Sequence, residues 1–205
     1  VFNFLSAGVY TFGFLVKIPK GMPFEGKWVT NPSHSPENAY QDENGVQSMF
    51  TYGATMDLEI IHDLFTNCIQ AIDAMNGKTG KTDLVFKKRL ESTLINLVPL
   101  QISKRTGKIQ EWIKDYKELE LGHRHFSHLY GVFPGNQITP NKTPDLATAA
   151  ALTIDARLKG NPNWKIEEAN NKYPSFDSYI NGDSGGNWQR TWLTALWARL
   201  GNSEK

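Results

Sequence analysis

The chain has 205 residues, enough for one domain of ordinary size or part of a larger one, and its 22 basic and 21 acidic side chains leave a formal net charge of +1. The charges are mixed along the sequence, so there is no electrostatic case for a nucleic-acid or acidic partner. One cysteine, Cys68, excludes an internal disulfide framework; this fits the cytosol but does not exclude a secreted, disulfide-free protein.

Residues 1–16 carry no charge before Lys17. The run is too short to span a membrane, lacks the basic start of a signal peptide and is broken by Asn3, Ser6, Gly8, Thr11 and Gly13. It reads as interior sequence of a longer polypeptide. Val29-Thr30 and Ile102-Ser103 could each form a short strand pair at most, since no stretch alternates convincingly.

The first clear chemical signal is the loop Thr30-Asn31-Pro32-Ser33-His34-Ser35-Pro36-Glu37-Asn38. Two prolines fix their own φ and push the preceding residues toward extended conformations. Ser33, Ser35 and Asn38 can bond the local backbone. Such a loop presents one carboxylate, Glu37, a candidate general acid. The plainer alternative is a solvated turn ahead of a helix.

The helices follow. Asp57 to about Met75 places Ile61, Leu64, Phe65, Cys68, Ile72 and Met75 at a period near 3.6, and Asn76-Gly77 stops it. Cys68 falls on the apolar face, where a small buried hydrophobe is expected. Thr82 is expected to cap a second helix that buries Val85, Phe86, Leu90, Leu94 and Leu97 and ends near Pro99. Thr143-Pro144 opens an Ala-rich helix running to about Leu158. A last helix from about Asn187 to Leu200 buries Trp188, Trp192, Ala195 and Leu196 and ends at Gly201-Asn202. Long loops separate the helices, and loops of that length usually carry function.

Two further clusters lie in those loops. In Gly122-His123-Arg124-His125-Phe126-Ser127-His128-Leu129-Tyr130, three histidines stand without the carboxylate or thiol of a zinc signature. They could be core histidines around a loop, but Arg124 and His125 also suit polyhydroxyl groups, because both offer directional donors. In Gly182-Asp183-Ser184-Gly185-Gly186-Asn187-Trp188, a carboxylate stands in a Gly-rich turn at a helix start. Asp183 or Asn187 could simply cap that helix. The run is not a phosphate loop, and there is no Gly-x-Ser-x-Gly elbow. Glu37 and Asp183 are thus two loop carboxyls far apart in sequence, compatible with glycosidic hydrolysis, which needs an acid on one face and an activated water on the other. Trp28, Trp112 and Trp188 could offer apolar sugar platforms.

Taken together the motifs resemble glycoside hydrolase family 95, the inverting α-L-fucosidases. The Thr30–Asn38 loop carries the likeness. Gln110-Glu111-Trp112, His123-Arg124-His125, Ser127-His128-Leu129-Tyr130-Gly131, Phe133-Pro134-Gly135, Gln137-Ile138-Thr139-Pro140 and Thr143-Pro144 continue it. Asp183 to Trp188, Arg190, Trp192 and Trp197-Ala198-Arg199-Leu200 close it. Where the family usually has Thr-Gly-Trp-Ser, this chain has Gly186-Asn187-Trp188-Gln189.

The resemblance implies an all-α chain, the C-terminal half of an (α/α)6-barrel catalytic domain completed by the rest of the same polypeptide. Residues 1–13 match poorly and are of doubtful origin, and 159–180 looks inserted. It further implies Glu37 as general acid and Asp183 as the group that polarises a water-activating asparagine lying upstream of this chain. Arg124 and His125 map to fucose contacts, with His123 and Trp112 beside them as substrate-binding residues. No cofactor and no metal are implied, nor a membrane or nucleic-acid partner. The substrate would be a fucosylated oligosaccharide or glycoconjugate carrying terminal α-1,2-linked L-fucose, and the compartment secreted or extracellular. Two rivals remain: an α-L-galactosidase of the same fold, and an inactive, truncated glycan-binding relative.

Overall fold

The computed structural model describes residues 14–75, 80–159 and 187–201. Four helices dominate: α1 (Thr55–Ala74), α2 (Lys81–Ile95), α3 (Pro144–Lys159) and α4 (Asn187–Arg199), with a 3-10 turn at Ser127–Leu129. Seven strands of two or three residues accompany them among the described residues: β1 (Leu15–Lys17), β2 (Trp28–Thr30), β3 (Ser33–His34), β4 (Tyr40–Gln41), β5 (Gln47–Ser48), β6 (Phe50–Thr51) and β7 (Lys117–Glu118). All named pairings are antiparallel: β1 with β2, β3 with β6, and β4 between β5 and β7. The chain is therefore mixed where an all-α chain is expected. The correction falls mainly on 28–56, which holds five of these strands, with β1 and β7 pairing onto it from outside. Runs of two or three residues are too short to show alternation.

Two apolar cores hold these elements. In the first, the stripe of α1 (Leu58, Ile61, Phe65, Cys68) packs with Leu90 of α2, with Leu97, Val98 and Ile113, and with Leu15 and Val29 of the β1–β2 pair. Phe65 and Leu90 are fully buried; each such side chain contributes roughly 1.5–3 kcal/mol by leaving water. In the second core, Ala147, Ala149, Ala150 and Ile154 of α3 meet Leu196 and Trp197 of α4 and Phe126, Leu129, Val132 and Ile138 of the preceding loop. The small alanines let the chain approach α3 closely.

The four helices form close to where they are expected, although α2 stops at Ile95, and of the residues expected to be buried on α4 Leu196 is buried while Trp192 and Ala195 are half-buried; two further corrections fall on α2. Helix α2 is capped by Gly80, whose N–H bonds the Asp83 carboxylate at 2.9 Å, and not by Thr82, which is exposed. Val85 is 67 % exposed instead of inside. It lies one step off the 86-90-94-97 stripe, so the first core takes its neighbour Phe86 in its place. Cys68 is buried as expected, and burial pushes its thiol up. The Gly-rich turn 181–186, with Asp183, and most of the expected insertion 159–180 lie outside the described residues, as do residues 1–13.

The two cores meet along Ile109-Gln110-Glu111-Trp112-Ile113. Ile109 belongs to the second and Ile113 to the first. This segment is stitched to α3 by the Ile109 N–H on Thr153 Oγ1 (2.9 Å) and to the start of α1 by the Thr55 N–H on the Glu111 carbonyl (3.1 Å). Glu111 thereby faces the seam between two apolar bodies.

Candidate active site

The Thr30–Asn38 loop is braced at both ends. At its entry Ser33 Oγ accepts from Thr30 Oγ1 (3.0 Å) and from the Ala54 N–H (2.8 Å), and donates to Asp57 Oδ2 (2.6 Å). Burial holds the Asp57 carboxyl above its ordinary value, opposed by the Ser33 and Thr30 hydroxyls. One hydroxyl thus ties the loop to the first turn of α1. At its exit the Asn38 N–H bonds the Ser35 carbonyl at 2.9 Å, closing a four-residue turn with Pro36 and Glu37 at the corner. Glu37 therefore points away from the turn, its side chain 55 % exposed.

A second segment, 89 and 91 residues away, meets this turn through His125 and Ser127. Ser127 Oγ donates to the Pro36 carbonyl, and His125 Nδ1 lies 3.1 Å from the same oxygen. A carbonyl only accepts, so that contact assigns the His125 proton to Nδ1. Arg124 forms an ion pair with the Glu37 carboxylate. Beneath them His123 Nδ1 accepts the His125 N–H at 3.1 Å, and the two rings meet edge to face with centroids 5.2 Å apart. Burial, helped by the Arg157 charge, pushes His123 down to about 4; a neutral ring is what an accepting Nδ1 requires.

A buried charged layer supports the turn. Ser35 Oγ donates to Glu111 Oε1 (2.7 Å), and Asn38 Nδ2 reaches Glu111 Oε2 and Glu118 Oε1, each at 3.1 Å. Arg157, from α3, bonds Glu111 Oε2 at 2.7 Å and also pairs with Glu118. Lys108 Nζ lies 2.9 Å from Glu118 Oε2. Two carboxylates face two cations, so the layer is charge-matched, the condition under which buried ions are tolerated. His128 lies alongside, 3.5 Å from Glu111 Oε1; burial first, then Arg157, holds it well below its ordinary value.

Of the residues expected from sequence, Glu37, Arg124 and His125 come together at one exposed edge, with His123 below them. Trp112 is 3 % exposed, its ring 5.2 Å from Tyr40, so the described residues leave it no open face. Trp28 packs against the first core with Lys17 Nζ 5.3 Å above its ring. Asp183 lies outside the described residues, and so does the side chain of Trp188. Arg157, Glu118 and Lys108 belong to none of the motifs in the sequence, and Glu111 stands in one with no role of its own. One signal was available: Arg157 continues the buried stripe Ala150, Thr153, Ile154 of α3. An arginine at such a position needs a buried partner.

The arrangement is a carboxylate presented from a braced loop edge beside a guanidinium and an imidazole, the class of site that acid-assisted hydrolysis uses. Residues 5–205 match the glycosyl hydrolase family 95 catalytic domain, and the chain belongs to that family. It is 36 % identical over 180 residues to alpha-L-fucosidase 2 of Arabidopsis thaliana, an alignment covering 88 % of this chain and 18 % of that protein. To the probable alpha-fucosidase A of Aspergillus oryzae it is 29 % identical over 188 residues, covering 88 % of this chain and 21 % of the relative. To the protein of the same name from Aspergillus niger it is 30 % identical over 180 residues, covering 86 % and 19 %. The chain thus spans about a fifth of the length of the curated relatives it matches.

Proposed function

We propose that this chain is part of the (α/α)6-barrel catalytic domain of an exo-acting α-L-fucosidase that releases terminal α-1,2-linked L-fucose from glycans with inversion. Glu37 is the general acid: its carboxyl proton passes to the glycosidic oxygen as the bond from that oxygen to the anomeric carbon breaks. Water adds to the anomeric carbon from the opposite face. Asp183 polarises an asparagine from another part of the polypeptide, and that asparagine takes the water's proton. Arg124 and His125 bind the fucosyl hydroxyls, Arg124 through its planar fork. Proton donation requires the Arg124–Glu37 pair to open, and a sugar hydroxyl is the competing partner for that fork.

The observation that carries this reading is the braced turn, which exposes Glu37 beside Arg124 and His125 while the buried Ser35 and Asn38 anchor its two ends. The family match and the names of the relatives support the sugar and the reaction class.

The test is Glu37→Gln in the complete polypeptide, assayed on two substrates. On a fucosyl-α-1,2-galactoside, whose leaving group needs a proton, turnover is expected to fall by about 10²-fold or more. On an aryl α-L-fucoside with an activated leaving group the loss is expected to be much smaller. Equal loss on both would remove Glu37 from the acid role. Asp183→Asn is expected to lose activity on both substrates. Binding of the galactoside without any cleavage by the parent protein would replace the hydrolase with a glycan-binding protein.

A further inference from the structure

Glu111 is buried, and its two oxygens divide their donors between the two ends of the acid turn. Oε1 accepts from Ser35 Oγ at 2.7 Å; Oε2 accepts from Asn38 Nδ2 at 3.1 Å and from Arg157 Nη2 at 2.7 Å. Ser35 and Asn38 are the first and last residues of the turn that carries Glu37, joined to each other by the Asn38 N–H on the Ser35 carbonyl at 2.9 Å. Both ends of the turn therefore hang on one carboxylate 76 and 73 residues further along the chain. Only 5 % of the Glu111 side chain is exposed, so these bonds do not compete with bulk water.

We propose that Glu111 is the positioning residue for Glu37. It fixes the direction in which the turn presents the acid, and Arg157, locked in turn by Glu118, fixes Glu111. The proposal rests on the reading of Glu37 as the general acid. The chemistry of the site narrows what can replace Glu111. A carboxylate is acceptor-only, and three donors converge on it. Glutamine has the same length but brings an NH2 group that must face Ser35 or else the Asn38 and Arg157 donors. Aspartate is one methylene too short to span the turn from its place in the 109–113 segment. A displacement of the acid by a fraction of an ångström is enough to slow proton transfer, because the donor must lie within hydrogen-bond reach of the leaving oxygen.

Glu111→Gln in the complete polypeptide separates positioning from mere packing. If Glu111 acts through Glu37, kcat falls about 10-fold to 100-fold on the fucosyl galactoside, less on the activated aryl fucoside, with KM little changed. The double variant Glu37→Gln/Glu111→Gln then loses scarcely more than Glu37→Gln alone, because residues acting as one unit are not additive. Ser35→Ala removes the Oε1 bond while leaving all four charges of the layer in place; it should give the same pattern at smaller size, and it decides the question should Glu111→Gln not fold. Equal losses on both substrates, or losses that multiply in the double variant, would overturn the positioning role and leave Glu111 as packing. Should Glu37→Gln itself show no dependence on leaving group, the acid reading fails first and the proposal falls with it.

Discussion

Glu59 is a carboxyl with almost nowhere to go. It sits on α1, 1 % exposed, beside Gly131, where an added methyl group would stand 2.6 Å from its Oε1. Burial raises it well above the ordinary carboxylate value. A group raised on folding contributes stability that is fully present below its unfolded value and is lost as pH rises through the folded one. Glu59→Gln is accordingly expected to melt above the parent at pH 8, with the gap closing or reversing by pH 5; a gap independent of pH would mean that Glu59 is not held neutral. Nothing in the sequence marks this residue, because glutamates on helices are ordinarily exposed, and the Gly131 that walls it in lies far along the chain. Glu37 on the one hand, and Arg124 with His125 on the other, could be picked out as candidates because each lies in a compact local motif, although only folding brings the two motifs together. Glu111 could be read only as part of a motif, since its donors are brought to it by tertiary folding.

Single elements show the same division. The stripe of α1 and the Thr143-Pro144 start of α3 follow from periodicity and capping alone. The outer surface of α2 is less plain: Leu84, Val85 and Ile95 are 50 %, 67 % and 75 % exposed, apolar residues off the buried stripe, and Val85 is the one expected inside. The link from β6 to α1 was also unreadable, although it depends on one residue. Gly53 has φ +60, and a Cβ there would meet Val29 Cγ2 at 2.3 Å and Ile113 Cδ1 at 3.2 Å. Its N–H bonds the Thr30 carbonyl at 2.8 Å, fastening the link to the acid loop. Gly53→Ala combines an unfavourable backbone conformation with overpacking, together roughly 3 kcal/mol. It should lower the melting temperature of the complete polypeptide and also reduce its activity. An unchanged melting temperature would show that β2 and the segment after Thr51 can move apart freely.

At the scale of the whole molecule, two apolar cores are separated by a charge-matched seam that includes two neutral histidines. His123, held down to about 4, and His128, held well below its ordinary value, are both depressed by burial. Their stabilisation is present above the unfolded value near 6.5 and is lost as pH falls through the folded ones. Thermal unfolding is expected to show a steep loss of stability between about pH 6.5 and pH 4. His123→Gln, at the residue whose ring accepts the His125 N–H, should flatten part of that slope, and an unaltered slope would place the acid sensitivity elsewhere.

The acid turn and the Arg124–Ser127 segment are joined unequally. On one side the acceptor is the Pro36 carbonyl, which any residue at that position would still supply. On the other side the donors are the side chains of His125 and Ser127, which few other residues can replace. Drift in this gene is thus tolerated more readily at Pro36 than at its two donors. Recombination faces a stricter limit: a crossover anywhere between Asn38 and His123 would take the presented acid from one parent and its His125 and Ser127 tethers from another. Hybrids of divergent parents would work only where both carry matching halves of the joint.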